Sequence, residues 1–244
     1  MRKHVYGPIN SRRLGKSLGV DLIVPKVCPL DCIYCEARAT TDLTMVRREY
    51  VDIDEVLAEI DRVLAEIPAP DYITFSGAGE PTLNSGIGQV IGHLKKFHPH
   101  NKVCLLTNGL LLKDQKLQQE LAGLDMIIPS LDASNDEEYQ KINRPVPGET
   151  LAKLVDGIAE FHRNHPSVFM ALEMFIAPGI NDSDESLSRF ETLVKQISPD
   201  AIQLNTLDRP GVIADLKPAP TETMKKFAAA LDRIVPVTFI SNVN

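Results

Sequence analysis

Long apolar runs are missing from this sequence. No stretch approaches the ~18 consecutive apolar residues that a membrane-spanning helix needs, and the opening MRKHVYGP lacks the apolar core of a secretory signal. The expected location is the cytoplasm, with no membrane partner. Cysteine is scarce: there are four in 244 residues, three of them within eight positions. That spacing excludes a disulfide framework and points to a metal or redox site. Basic charge is in deficit, with 26 Lys/Arg against 33 Asp/Glu, which excludes a generally basic nucleic-acid surface. Aromatic residues make up only 5% and tryptophan is absent, so no stacking platform for single-stranded RNA is evident.

What is present suits a folded α/β chain. At 43% hydrophobic the sequence can bury one sizeable core, and a single domain over 1–244 is expected. Within it we distinguish a basic N-terminal arm (1–17), a core (18–207) and a C-terminal extension (208–244). Residues 1–50 carry nine Lys/Arg against five Asp/Glu. Arg2, Lys3, Arg12, Arg13 and Lys16 therefore form either a patch for an RNA backbone or a solvated arm.

Strand and helix signals alternate. Asp52 and Glu55 make a capping-box pattern ahead of Ile53, Val56, Leu57, Ile60, Val63 and Leu64 at helical spacing. Strands are expected at 18–24, 72–75, 102–107, 125–130, 168–176, 201–207 and 237–240. Helices are expected between them, two of them opened by Ser134/Glu137 and Asp182/Glu185 boxes. Six βα units imply a parallel sheet with right-handed crossovers, a partial (β/α)6 TIM-type barrel, with functional residues at the C-terminal strand ends. Cys104 reads as a small core residue. His93, His98 and His100 crowd a helix end and read as surface residues.

The loop after the first strand is Cys28-Pro-Leu-Asp-Cys32-Ile-Tyr-Cys35. Its three soft thiolates suit one metal centre. Structural zinc normally needs four ligands, which a distant histidine would have to complete. A [4Fe–4S] cluster bound by three thiolates keeps one iron open.

A CxxxCxxC run with an aromatic residue, Tyr34, before its last cysteine, followed at the next strand end by Gly77-Ala78-Gly79-Glu80-Pro81, resembles the radical S-adenosylmethionine (SAM) superfamily. The resemblance implies a radical SAM fold, a [4Fe–4S] cluster on Cys28, Cys32 and Cys35, and SAM bound to the open iron. Reduction there splits SAM to a 5′-deoxyadenosyl radical that abstracts a substrate hydrogen. Gly77, Gly79 and Glu80 occupy the position of the family motif that holds the SAM methionine, with Ala78 as a variant. The resemblance further implies SAM contacts from Tyr34, Asn108, Ser130, Glu173 and Asn205. No catalytic acid or base is assigned.

GPINSRRLG (7–15), TFSGAGEPTL (74–83) and INRP (142–145) are similar to a short branch related to wyosine-tRNA synthases. This chain lacks the additional N-terminal cysteines of those enzymes and an assigned Schiff-base lysine, although Lys3, Lys16 and Lys26 lie near the loop. Three functions stay open: a radical SAM enzyme modifying tRNA or other RNA, an activating enzyme for a glycyl-radical partner protein, and a non-catalytic Fe–S or zinc protein. The enzyme readings imply an electron donor such as flavodoxin or ferredoxin.

Overall fold

A computed structural model describes residues 2–24 and 26–240. The chain opens with β1 (Val5–Ser11) and β2 (Gly15–Val20), an antiparallel hairpin. A two-stranded ribbon follows, β3 (Val27–Cys28) with β4 (Asp42–Leu43). From there helices and strands alternate as α1 (Ile53–Glu66), β5 (Tyr72–Phe75), α2 (Ile87–Phe97), β6 (Lys102–Thr107), α3 (Gln115–Leu121) and β7 (Met126–Pro129). Two helices in succession, α4 (Asp136–Ile142) and α5 (Leu151–Asn164), lead to β8 (Phe169–Phe175), α6 (Asp184–Ile197), β9 (Ala201–Asn205), α7 (Thr221–Leu231) and β10 (Val237–Phe239).

The main sheet has the order β1-β2-β5-β6-β7-β8-β9-β10, with every pair after the hairpin parallel. It curls into a half-barrel flanked by helices, the expected partial barrel. Strand alternation splits the core in two. Val103, Leu105, Ile127 and Leu172 join the large cluster beneath the helices. Cys104, Met126, Ile128 and Ala171 form a smaller cluster with Leu14 inside the curl. Cys104 is accordingly a core residue. No helix among the described residues is long and apolar enough to cross a membrane.

Local chemistry shifts several expected boundaries. Asp52 does cap α1, accepting from Glu55 N. The caps of α4 and α6 each fall one residue later than expected. Asn135 accepts from Glu138 N, and Ser183 accepts from Ser186 N. The displaced residues have other partners: Ser134 N donates to Glu138 Oε2 and Asp182 Oδ1 accepts from Gly179 N. The first parallel strand runs 15–20 rather than 18–24. Asp21 ends it by accepting from Ile23 N at 3.0 Å and Ala78 N at 2.9 Å, which turns the chain toward the next strand end.

The N-terminal residues are not a solvated arm. Glu59 on α1 accepts from the backbone N–H groups of Lys3, His4 and Val5. Three of the five basic side chains are paired within the chain, Lys3 with Glu55, Arg12 with Asp208 and Arg13 with Glu173. The hairpin runs across the 17/18 division. The 208–240 segment returns a helix and a strand to the sheet.

Tyr6 and Gly19 face each other across the hairpin, and a Cβ on Gly19 would lie 2.1 Å from the Tyr6 ring. The ring occupies the place of the missing side chain. Gly19→Ala is expected to destabilise the chain by about 1–3 kcal/mol through overpacking. In a Tyr6→Ala background the same change should cost less than about 0.5 kcal/mol, as measured by denaturant unfolding. Equal costs in both backgrounds would remove the contact as the cause.

Candidate cofactor site at the cysteine loop

The cysteine loop stands at the C-terminal ends of the parallel strands, held by its own turn chemistry. Thr40 N donates to Asp31 Oδ1 at 2.7 Å and Thr40 Oγ1 donates to Leu30 O at 2.6 Å. Two further attachments fix it to the barrel. Tyr34 Oη donates to Asp132 Oδ2 at 2.6 Å, and its ring stacks on Phe175 with centroids 4.1 Å apart. Asn143, at the end of α4, donates to the same Asp132 oxygen at 2.8 Å, while Asp132 Oδ1 accepts from Phe175 N.

Of the eleven site residues expected from sequence, nine line one cavity of about 260 Å3: Cys28, Cys32, Cys35, Gly77, Gly79, Glu80, Asn108, Ser130 and Glu173. Tyr34 and Asn205 line a neighbouring cavity of about 420 Å3, whose wall shares Cys35, Gly77 and Glu173 with the first. The larger cavity lies between the two edges of the half-barrel, with β1 residues on one side and residues 205–209 on the other.

Each cysteine sulfur has its own side-chain donor. Lys26 Nζ lies 3.0 Å from Cys35 Sγ, Asn143 Nδ2 3.4 Å from Cys32 Sγ and Asn108 Nδ2 3.6 Å from Cys28 Sγ. Burial pushes the Cys28 thiol up to about 12 and raises the Cys32 thiol as well. A bound metal cation would oppose that effect and favour the thiolates. Three thiolates are one short of the four ligands of a structural zinc site and suit a cluster that keeps one iron open.

Several expected residues are committed to positioning. Glu80 is buried and accepts four hydrogen bonds, three on Oε1 from Thr82 N, Thr82 Oγ1 and Thr107 Oγ1, and one on Oε2 from Asn108 N at 2.8 Å. It thereby orients the residue whose amide meets Cys28. A Cβ on Gly79 would sit 2.1 Å from Val27 O, so glycine here admits the close approach of β3. Glu173 pairs with Arg13 and accepts from Asn205 Nδ2 at 3.0 Å. Ser130 pairs with Glu173 in an isolated bridge.

Sequence reasoning passed over Asp132, Asn143, Lys26 and Arg13 as site residues. Asp132 ends the SLD strand terminus and Asn143 lies in INRP, so position and motif both carried a signal. Arg13 lies in GPINSRRLG and in the basic patch, and Lys26 carried no signal beyond its nearness to the loop.

The Radical SAM superfamily model matches residues 22–190. The chain belongs to the radical SAM superfamily. Members of that superfamily use a [4Fe–4S] cluster and SAM, which are the cofactors that membership implies here. Three cysteines at one cavity, each sulfur with its own N–H donor, fit that cluster. A Brachyspira hyodysenteriae protein named GTPase Obg is 37% identical over 224 residues, 92% of this chain and 33% of its own length. A Helicobacter pylori UPF0026 protein is 32% identical over 223 residues, 91% of this chain and 71% of its own. The chain thus spans a third of the first relative and nearly three quarters of the second. A radical SAM methyltransferase from Sphaerobacter thermophilus matches in fold with a TM-score of 0.69 at 20% identity, covering 91% of this chain and 65% of that one. TYW1 with a lysine-pyruvate adduct bound matches with a TM-score of 0.63 at 16% identity, covering 90% and 74%.

Burial pushes Asp132 up to about 6, against the opposing hydrogen bonds from Tyr34 and Asn143. An unfolded aspartate titrates near 3.8. Between those values the folded chain binds more protons than the unfolded chain, so this residue's contribution to stability falls as pH rises through the window. In the cluster-free chain, Asp132→Asn should flatten that part of the pH dependence of Tm between about pH 4 and 6. Calorimetry across that window tests it, and unchanged slopes would refute the assignment.

Proposed function

We propose that Cys28, Cys32 and Cys35 hold the [4Fe–4S] cluster, that the 260 Å3 cavity seats SAM, and that the 420 Å3 cavity presents an RNA nucleotide for hydrogen abstraction. The observation that carries this reading is the provision of one N–H donor to each of three cysteine sulfurs that line one cavity. When bound, the cluster, reduced by a flavodoxin- or ferredoxin-type donor, supplies the electron that splits SAM, and SAM supplies the radical that takes the substrate hydrogen.

The chain's own residues hold and orient. Asp132 fixes the loop through Tyr34 and Asn143, and Glu80 fixes Asn108. Ser130, Glu173 and Asn205 supply polar groups along the wall that joins the two cavities, and Gly77 keeps that wall low. The Tyr34–Phe175 stack is an apolar screen that keeps water from the sulfurs.

The RNA reading is supported by the resemblance to the wyosine-related branch and by arginine placement. Arg12, Arg13 and Arg209 all reach the larger cavity, paired with Asp208, Glu173 and Glu36. Guanidinium groups suit a phosphate backbone, and the paired carboxylates keep the unliganded cavity from carrying excess charge.

Anaerobically reconstituted protein given SAM and dithionite should release 5′-deoxyadenosine. A full cluster complement without that product would overturn the enzyme assignment of this site. Cys32→Ala should lose both the product and the cluster absorption, and retention of both would remove Cys32 from the ligand set. For the substrate, a deletion strain's RNA should lack one modified nucleoside or accumulate its precursor. An unchanged nucleoside profile, with a protein glycine radical formed instead, would transfer the activity to the activating-enzyme class.

A further inference from the structure

Far from the cysteine loop, α1 and α2 bring together a second set of metal-binding side chains. Asp61 on α1 accepts from His93 Nε2 at 2.8 Å and from His98 Nε2 at 2.7 Å, both on the same Oδ1. The three donor atoms lie within 4.8 Å of one another. His98 is four residues before β6 begins, which places the group at the N-terminal strand ends, opposite the cysteines.

We propose that Asp61, His93 and His98 bind a divalent transition-metal cation such as Zn2+. Two imidazoles and one carboxylate are a borderline-soft N/O set suited to that class, and they leave positions for water. The two Nε2 atoms already converge on the carboxylate at 2.7–2.8 Å. Bonds of about 2.0–2.2 Å would require ligand atoms only roughly half an ångström further apart. On binding, each imidazole presents its Nε2 lone pair to the cation and carries its proton on Nδ1. The carboxylate supplies one negative charge.

The rings are held before any ion arrives. His93 and His98 side chains are 16% and 22% exposed, whereas Asp61 is 47% exposed and free to adjust. The His93 ring packs on Phe97 with centroids 4.7 Å apart. His98 is the C-cap of α2, its backbone N–H donating to Leu94 O. The lysines of that last turn do not compete: Lys95 pairs with Asp125, and Lys96 lies over the Phe97 ring. A bound ion would cross-link α1 to α2, the two helices on either side of β5. This site is independent of the radical chemistry.

The test uses cluster-reconstituted protein, so that iron already occupies the cysteines, with Zn2+ as the probe. Equilibrium dialysis and elemental analysis should find one zinc per chain with the iron count unchanged, and zinc should raise Tm. His93→Gln and His98→Gln should each weaken zinc binding by at least about tenfold and abolish the Tm rise. Asp61→Asn, an exposed and isosteric change, should weaken binding while leaving the fold intact. With Co2+ as a second probe, the visible absorption should disappear in the same variants. Failure to retain zinc, equal retention by wild type and variants, or zinc uptake matched by iron loss would each overturn the proposal.

Discussion

Burying a thiolate is costly unless something stabilises its charge, and that constraint organises this site. Cys28 and Cys32 sit where their thiols are pushed far above the normal range. A cation beside those sulfurs would favour their charged form, and the neighbouring residues add donors to it. Lys26, Asn108 and Asn143 each aim a donor at one sulfur. None of these three is held by the loop alone. Asn108 is set by Glu80 from the β5 strand end, Asn143 by Asp132 from the β7 strand end, and Lys26 by the start of β3. The barrel's strand ends therefore act together on a loop that belongs to none of them.

The two ends of the chain make the rest. The half-barrel leaves a gap between β1 and β10, and the 420 Å3 cavity occupies it. Arg12 and Arg13, at the hairpin turn, reach across to Asp208 and Glu173. Glu173 faces both cavities, so an ion pair from the N-terminal hairpin stands at the wall between the cluster side and the substrate side. That placement gives the hairpin a part in the site as well as in the sheet.

Much of this was legible in the sequence, for identifiable reasons. The cysteine spacing and the strand-end positions of Gly79, Glu80, Asn108 and Ser130 are local, and all of them do gather at one cavity. The Asp52 cap held because the helix pattern begins directly after it. The α4 and α6 caps slipped by one residue because Ser134 and Asn135, like Asp182 and Ser183, are adjacent polar residues equally able to cap. The ties that matter most were not legible. Glu80 looks like a ligand by motif; Thr82 donates to it locally, and Thr107 and Asn108 reach it only after β5 and β6 pair. Asp132 spans 98 residues to reach Tyr34, and Arg13 spans 160 to reach Glu173. No local pattern encodes contacts of that range.

The central claim is that three cysteines leave one iron of a [4Fe–4S] cluster open to SAM. Electron paramagnetic resonance of the reduced, reconstituted protein with and without SAM tests it most directly. The spectrum is predicted to shift when SAM is added, and Cys104→Ala, a core change away from the loop, should show the same shift. A fully loaded cluster whose spectrum is identical with and without SAM would contradict the claim.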